Sequence, residues 1–205
     1  MMVNGYYIGL MSGTSLDGID AVVVDIQDRQ YTLCSSQTFP WPAKLQQALR
    51  ELIENSDSLA LTLKLDQLCA EQYALASLEC IKSADLKPED INAIGSHGQT
   101  IRHFPHATPA YTLQIGNPAT IAELTGITTV ADFRSRDIAA GGQGAPLAPA
   151  FHQAAFQEPG KTKVVLNIGG IANITVLNGE TVTGYDTGPG NRLLDDWVRL
   201  KTHRL

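Results

Sequence analysis

The chain has 205 residues, 43% of them hydrophobic and 18% charged, which suits one large or two modest globular domains with a core that needs no disulfide or metal staple. Its net charge is −6, with six basic against thirteen acidic residues in 1–100 and nine against eight in 101–205. No Lys/Arg stripe exists to neutralise rows of phosphates, so a nucleic-acid surface is excluded, and any anionic ligand must be held by a few local donors.

In chain order, "YYIGLM" (6–11), "IDAVVVDI" (19–26) and "QYTLCSSQTF" (30–39) are short β-prone runs with Asp28-Arg29 between the last two, and they predict a three-stranded meander. Pro42 opens a helix with Leu45, Leu49, Leu52 and Ile53 on one face, and Asn55-Ser56-Asp57-Ser58 breaks it. A longer helix is expected over 59–82, with Leu61, Leu65, Leu68, Cys69, Leu75, Leu78 and Ile81 as its apolar stripe. "INAIGSH" (91–97) and "YTLQIG" (111–116) read as strands. "NPATIAELTG" (117–126) reads as a helix capped by Asn117, with Pro118 in its first turn and Gly126 at its end. "ITTVA" (127–131) predicts a strand, 132–149 a loop rich in Gly and Arg, and 147–156 a helix. "EPGK" (158–161) is the predicted domain boundary. Beyond it, "KVVLNIGG" (163–170) and "IANITVLNG" (171–179) form a hairpin, "TGYDTGPGN" (183–191) ends a strand in a sharp turn, and 192–205 is helical.

Cys34, Cys69 and Cys80 form no C-x-x-C pair and are odd in number, which fits a reducing compartment, and Cys69 and Cys80 fall in a core pattern. No basic stretch followed by an apolar run opens the chain, and no apolar run approaches the ~20 residues that span a bilayer. A cytoplasmic protein without membrane partners is expected.

Four stretches carry chemistry. "SGTSLDG" (12–18) has glycines that let main-chain N–H groups approach phosphate, hydroxyls that donate further bonds, and an Asp that could hold Mg²⁺; it reads equally as a polar hairpin turn. "NIGGIANIT" (167–175) repeats that logic more weakly, since a Gly-Gly hairpin needs no ligand. In "GYDTGPGN" (184–191) Asp186 sits at a strand end, where its carboxylate could take a proton from a nucleophile or cap the turn. In "GSHGQT" (95–100), expected to follow a strand, His97 and Gln99 could bond a polar ligand or the backbone. Arg134 in "DFRSRDIAAGGQG" suits a carboxylate or phosphate, or an internal Arg–Asp network. The spacing of His97, His103 and His106 fits no standard zinc set.

Taken in order, "IGLMSGTSLDGID", "GSHGQT", "LQIGNPATIAELTGITTVADFRSRDIAAGGQGAPLAP", "LNIGGIANITVL" and "GYDTGPGNRLLDDW" resemble the anhydro-N-acetylmuramic acid kinase family from Tyr7 to Trp197. The resemblance implies an α/β fold: an RNase H-like domain of the actin, Hsp70 and hexokinase type over 1–158, and the start of a second over 159–205, with a cleft between. It implies an ATP-dependent kinase that converts 1,6-anhydro-N-acetylmuramic acid and water to N-acetylmuramic acid 6-phosphate in cell-wall recycling. Gly13, Thr14, Ser15, Leu16, Asp17, Gly18, Ile19 and Asp20 match the ATP-binding stretch. Gly169, Gly170 and Asn173 match its pseudo-repeat. His97, Gln99, Arg134 and Asp186 become sugar-site residues, Asp186 the catalytic base, and Asp17 the Mg²⁺ ligand. A homodimer is implied. Family members are nearly twice this length, so the sequence reads as an amino-terminal portion whose adenosine site lies elsewhere. Residues 1–205 alone are expected to lack turnover and to self-associate through apolar strand surface at 163–185. The alternatives are a non-catalytic remnant of that kinase and another nucleotide-binding protein of the superfamily.

Overall fold

The computed structural model describes residues 4–55 and 57–202. The chain is a mixed α/β protein that divides into two compact units, one ending at Gly144 and one starting at Ala145.

In the first unit, strands β1 (Gly5–Ser12), β2 (Ile19–Gln27) and β3 (Gln30–Phe39) form the expected meander. Alternation along β2 buries Ile19, Ala21 and Val23 on one face. Asp28 and Arg29 both take positive φ, 49° and 67°, as a tight two-residue hairpin turn requires. Helix α1 (Ala43–Asn55) follows Pro42 and buries Leu45, Leu49 and Leu52. Ser56, part of the expected break, lies outside the described residues. Helix α2 (Leu59–Ser83) starts at Ser58, whose hydroxyl accepts from the Leu61 N–H, and packs across the meander through Leu65, Cys69, Tyr73, Cys80 and Ile81. Leu75, placed in its stripe by periodicity, is exposed because α2 buries Ala74 and Ala76 instead.

A 3₁₀ turn (Pro88–Asp90) leads into β4 (Ile91–Phe104), which runs parallel to β1. β4 is twice the expected length and carries "GSHGQT" inside it. Its later half pairs antiparallel with β5 (Tyr111–Ile115), so the sheet runs β3-β2-β1-β4-β5. This antiparallel meander joined to a parallel strand is the RNase H-like arrangement the resemblance implied. Helix α3 (Pro118–Thr125) is capped as predicted: Asn117 accepts from the N–H groups of Ala119 and Thr120, and Gly126 closes it at φ 72°. β6 (Thr129–Val130) adds two residues beside β4. The stretch read as loop over 132–149 contains a helix, α4 (Phe133–Ala139).

In the second unit, α5 (Ala148–Phe156) precedes a meander of β7 (Thr162–Ile168), β8 (Ile171–Asn178) and β9 (Thr181–Pro189), and α6 (Asn191–Thr202) follows. The expected helix over 192–205 extends past the described residues at 203. The division between units precedes "EPGK" because α5 belongs with β8 and β9: His152 Nδ1 meets the buried Thr175 Oγ1 at 2.9 Å, and Pro149 sits where a side chain on Gly184 would go. Along β7, Val164, Leu166 and Ile168 are exposed.

Candidate functional site

The β1–β2 loop, 13–18, is shaped from beneath. Ser12, at the end of β1, is buried and its Oγ lies 2.6 Å from the Tyr73 hydroxyl on α2. Burial pushes the Tyr73 phenol well above its usual range, so it stays protonated. The Gly13 carbonyl accepts from Gln99 Nε2 at 3.2 Å and from the Leu16 N–H at 3.2 Å. The Leu16 carbonyl accepts from Gln46 Nε2 on α1 at 2.8 Å. Thr14, Ser15 and Asp17 are exposed at the rim, and no acceptor for the Thr14 or Ser15 N–H is found among the described residues.

Leu16 and Ile19 point the other way. Both are buried, and Leu16 holds the left-handed φ of 61°, a conformation that side-chain burial must compensate. Gly18 is required by packing: a Cβ there would lie 2.8 Å from the Phe39 carbonyl oxygen. Asp20 accepts from Thr38 Oγ1 at 2.6 Å. Of the eight residues in the predicted ATP-binding stretch, Gly13, Thr14, Ser15 and Asp17 thus form the outer loop, and Leu16, Gly18 and Ile19 anchor it.

A second cluster forms where β4, α4 and the glycine-rich segment after α4 meet. Arg134 Nε donates to His97 Nε2 at 2.8 Å, and Arg134 Nη1 donates to the Gly144 carbonyl at 3.1 Å. The Gly144 N–H donates to Asp137 Oδ2 at 2.7 Å. Arg134 and Asp137 therefore grip the two ends of one residue rather than each other, which refines the expected Arg–Asp network. Burial and the Arg134 charge hold His97 below the usual imidazole range, and burial lowers Arg134 itself. Arg134 has no carboxylate partner among the described residues. Beside the cluster lies a cavity of about 240 Å³ lined by Asp66, Ser96, His97, Gln114, Asp132 and Ser135, among others. The buried Ser96 Oγ in its wall has no hydrogen-bond partner among the described residues.

Gln99, expected to bond the sugar, is fully buried, with its Nε2 on the Gly13 and Thr100 carbonyls and its Oε1 unpartnered among the described residues. It supports the loop instead of lining a surface. His103, part of the discounted zinc set, meets Thr112 Oγ1 at 3.1 Å. No group of three metal-ligating side chains occurs among the described residues.

In the second unit the two glycine-rich motifs are bound together. Gly190 N–H donates to the Gly170 carbonyl at 3.0 Å and Asn191 N–H to the Gly169 carbonyl at 2.7 Å. A Cβ on Gly190 would fall onto the Gly169 carbonyl oxygen. Asp186 is exposed on β9 and pairs in register with Asn173 on β8, so Gly169, Gly170, Asn173 and Asp186 occupy one end of this sheet. Sequence reasoning missed Tyr73 and Gln46, because Tyr73 acts through the Ser12 hydroxyl and Gln46 through the Leu16 carbonyl, and neither lies in a glycine-rich motif.

The sequence profile of the family described as "Anhydro-N-acetylmuramic acid kinase" matches residues 5–204. The chain is 53% identical over 201 residues to the anhydro-N-acetylmuramic acid kinase of Shewanella baltica strain OS155, and 52% identical to that of Shewanella sp. strain W3-18-1. Each alignment covers 97% of this chain and 54% of the relative, so the chain spans about half the length of the curated relatives it matches. Among solved structures, it is similar to a member of the Ppx/GppA protein family from Aquifex aeolicus, with a TM-score of 0.44 and 10% identity over 95% of this chain and 54% of the other.

Proposed function

Since the chain belongs to the anhydro-N-acetylmuramic acid kinase family, we propose that its residues serve the ATP-dependent conversion of 1,6-anhydro-N-acetylmuramic acid and water to N-acetylmuramic acid 6-phosphate and ADP, in the recycling of bacterial cell wall. The observation that carries the substrate class is Arg134: a part-buried guanidinium whose donors reach, among the described residues, only a neutral imidazole and a carbonyl. Such a cation favours an anion at its free edge. The lactyl carboxylate of muramic acid is the anion that distinguishes this sugar from plain amino sugars.

The roles follow from the chemistry. The exposed donors of loop 13–18 receive phosphate oxygens of ATP, with Gly169 and Gly170 as the matching turn of the second unit. Asp186 takes a proton from water as the water oxygen bonds to C1 and the C1–O6 bond breaks. The freed O6 bonds to the γ-phosphorus as the bond to the ADP oxygen breaks. Asp17, exposed on the loop and without a partner among the described residues, suits Mg²⁺, which takes one or two carboxylates alongside phosphate oxygens and water and would spread the charge of the transferring group. Three free thiols accord with a cytoplasmic setting, and no helix among the described residues is long and apolar enough to cross a membrane. Family membership suggests a homodimer.

Calorimetric titration with the anhydro-sugar and, separately, with ATP tests this reading, followed by measurement of sugar-dependent ADP release. The sugar binds, and its analogue lacking the lactyl group binds far more weakly. Equal binding of the two sugars, or binding of neither, removes the muramic acid assignment.

A further inference from the structure

The loop 13–18 hangs from two side-chain amides on two different elements. Gln99 on β4 donates to the Gly13 carbonyl, and Gln46 on α1 donates to the Leu16 carbonyl. Gln99 is fully buried, yet its Oε1 has no partner among the described residues. An orphaned acceptor in the interior is unfavourable, and a methionine would fill similar space without it. Packing therefore gives no reason for glutamine at this position, whereas its donor does.

A planar trans peptide points its C=O and the following N–H in opposite directions. Drawing the Gly13 carbonyl onto Gln99 turns the Thr14 N–H away from the interior. Drawing the Leu16 carbonyl onto Gln46 does the same for the Asp17 N–H. The buried Leu16 side chain pins the loop between these two points, and Thr14 and Asp17 are exposed.

We propose that Gln99 and Gln46 are positioning residues that aim the Thr14 and Asp17 N–H groups at a nucleotide phosphate, on the reading that this loop receives ATP. Gln99 then acts through Gly13 and touches no sugar, although its motif flanks the sugar-site His97.

The test uses Gln99→Met and Gln46→Met, both of which keep side-chain bulk. Amide hydrogen exchange is read at Leu16, whose N–H bonds the Gly13 carbonyl. ATP and anhydro-sugar affinities are measured separately. Gln99→Met accelerates exchange at Leu16, and each variant raises the ATP Kd by ~3–10-fold, the scale of one net hydrogen bond, with the melting temperature and the sugar Kd unchanged. Unchanged exchange in Gln99→Met together with unchanged ATP affinity in both variants overturns the proposal. So does a Gln99→Met defect confined to sugar affinity. If the parent chain binds no ATP, the kinase reading falls separately, and exchange at Leu16 alone decides the positioning role. Gln46 is only half-buried, so its variant folds and decides by ATP affinity if Gln99→Met does not.

Discussion

Arg134 donates through Nε to Nε2 of His97 at 2.8 Å. A guanidinium can only donate, so that imidazole nitrogen is bare and the ring proton sits on Nδ1, where it donates to the Gly98 carbonyl at 2.7 Å. One contact thus fixes the tautomer of His97, its charge and its orientation, and leaves Arg134 without a counter-charge among the described residues.

The pH dependence follows. Burial and the Arg134 charge lower the His97 pKa below its ordinary value of 6.5 in the folded chain. Between the two values the unfolded chain binds a proton that the folded chain does not, so stability is full above about pH 6.5 and declines as pH falls toward the lowered value. NMR titration of the imidazole should show the Nδ1–H tautomer at pH 7 and a midpoint below 6.5. Arg134→Met should move that midpoint upward. An unmoved midpoint would leave burial as the sole cause.

The glycines of the first loop separate by role. A Cβ on Gly13 would meet the flexible Ser15 hydroxyl at 3.3 Å, whereas one on Gly18 would meet the Phe39 carbonyl oxygen at 2.8 Å. Gly13→Ala should melt close to the parent temperature while weakening ATP binding, because the methyl group occupies the line of phosphate approach. Gly18→Ala should destabilise the fold by ~1–3 kcal/mol. Thermal melts and ATP titrations of the two variants check this, and the reverse pattern would show that the loop is only a turn.

Where local signals are strong, the sequence is legible. β2 declares itself by β-branched alternation, and α3 by Asn117, Pro118 and Gly126. α4 stays hidden because seven residues give too few turns for periodicity, its Asp132 cap makes no side-chain bond, and its charges alternate. The second half of β4 is masked by Gly95 and Gly98, the latter at φ 75° where the strand changes partner from β1 to β5. Gln99 is legible as a polar residue in a motif. Its burial is not, because that depends on β1 and β5 flanking it on either side. Likewise, pairing of "NIGG" with "GPGN" is a long-range contact that no local pattern announces.

That contact makes its own prediction. Gly190→Ala places a methyl group on the Gly169 carbonyl, and a backbone atom cannot swing aside as a side chain does. The turn must open and lose the bonds from Gly190 and Asn191 to Gly170 and Gly169. Stability should fall by ~1–3 kcal/mol, read by chemical denaturation. By contrast, Gly160→Ala meets nothing within 4 Å, although its φ of 74° disfavours a side chain, and should cost less.

Asp186→Asn retains the shape of the side chain and the pairing with Asn173 on β8. Only the ability to accept a proton is lost. In a full-length form of the protein, turnover should drop by at least ~100-fold, since general-base steps typically contribute that much, with ATP affinity nearly unchanged. ADP release and ATP titration measure the two effects. Undiminished turnover would take Asp186 out of the mechanism.

Arg134→Lys examines the substrate assignment most directly. Lysine keeps the positive charge but replaces a planar fork with one point donor, which cannot hold His97, Gly144 and a carboxylate together. Sugar affinity should weaken by ~10-fold or more, the scale of a charge-assisted hydrogen bond, while ATP affinity stays within error. The analogue without the lactyl group supplies the control, because its binding never used the fork and should be insensitive to the substitution. If the variant weakens both sugars equally, Arg134 serves to shape the segment around Gly144 and the carboxylate is recognised elsewhere. If it weakens only the muramic sugar, the unpaired guanidinium is the group that selects it.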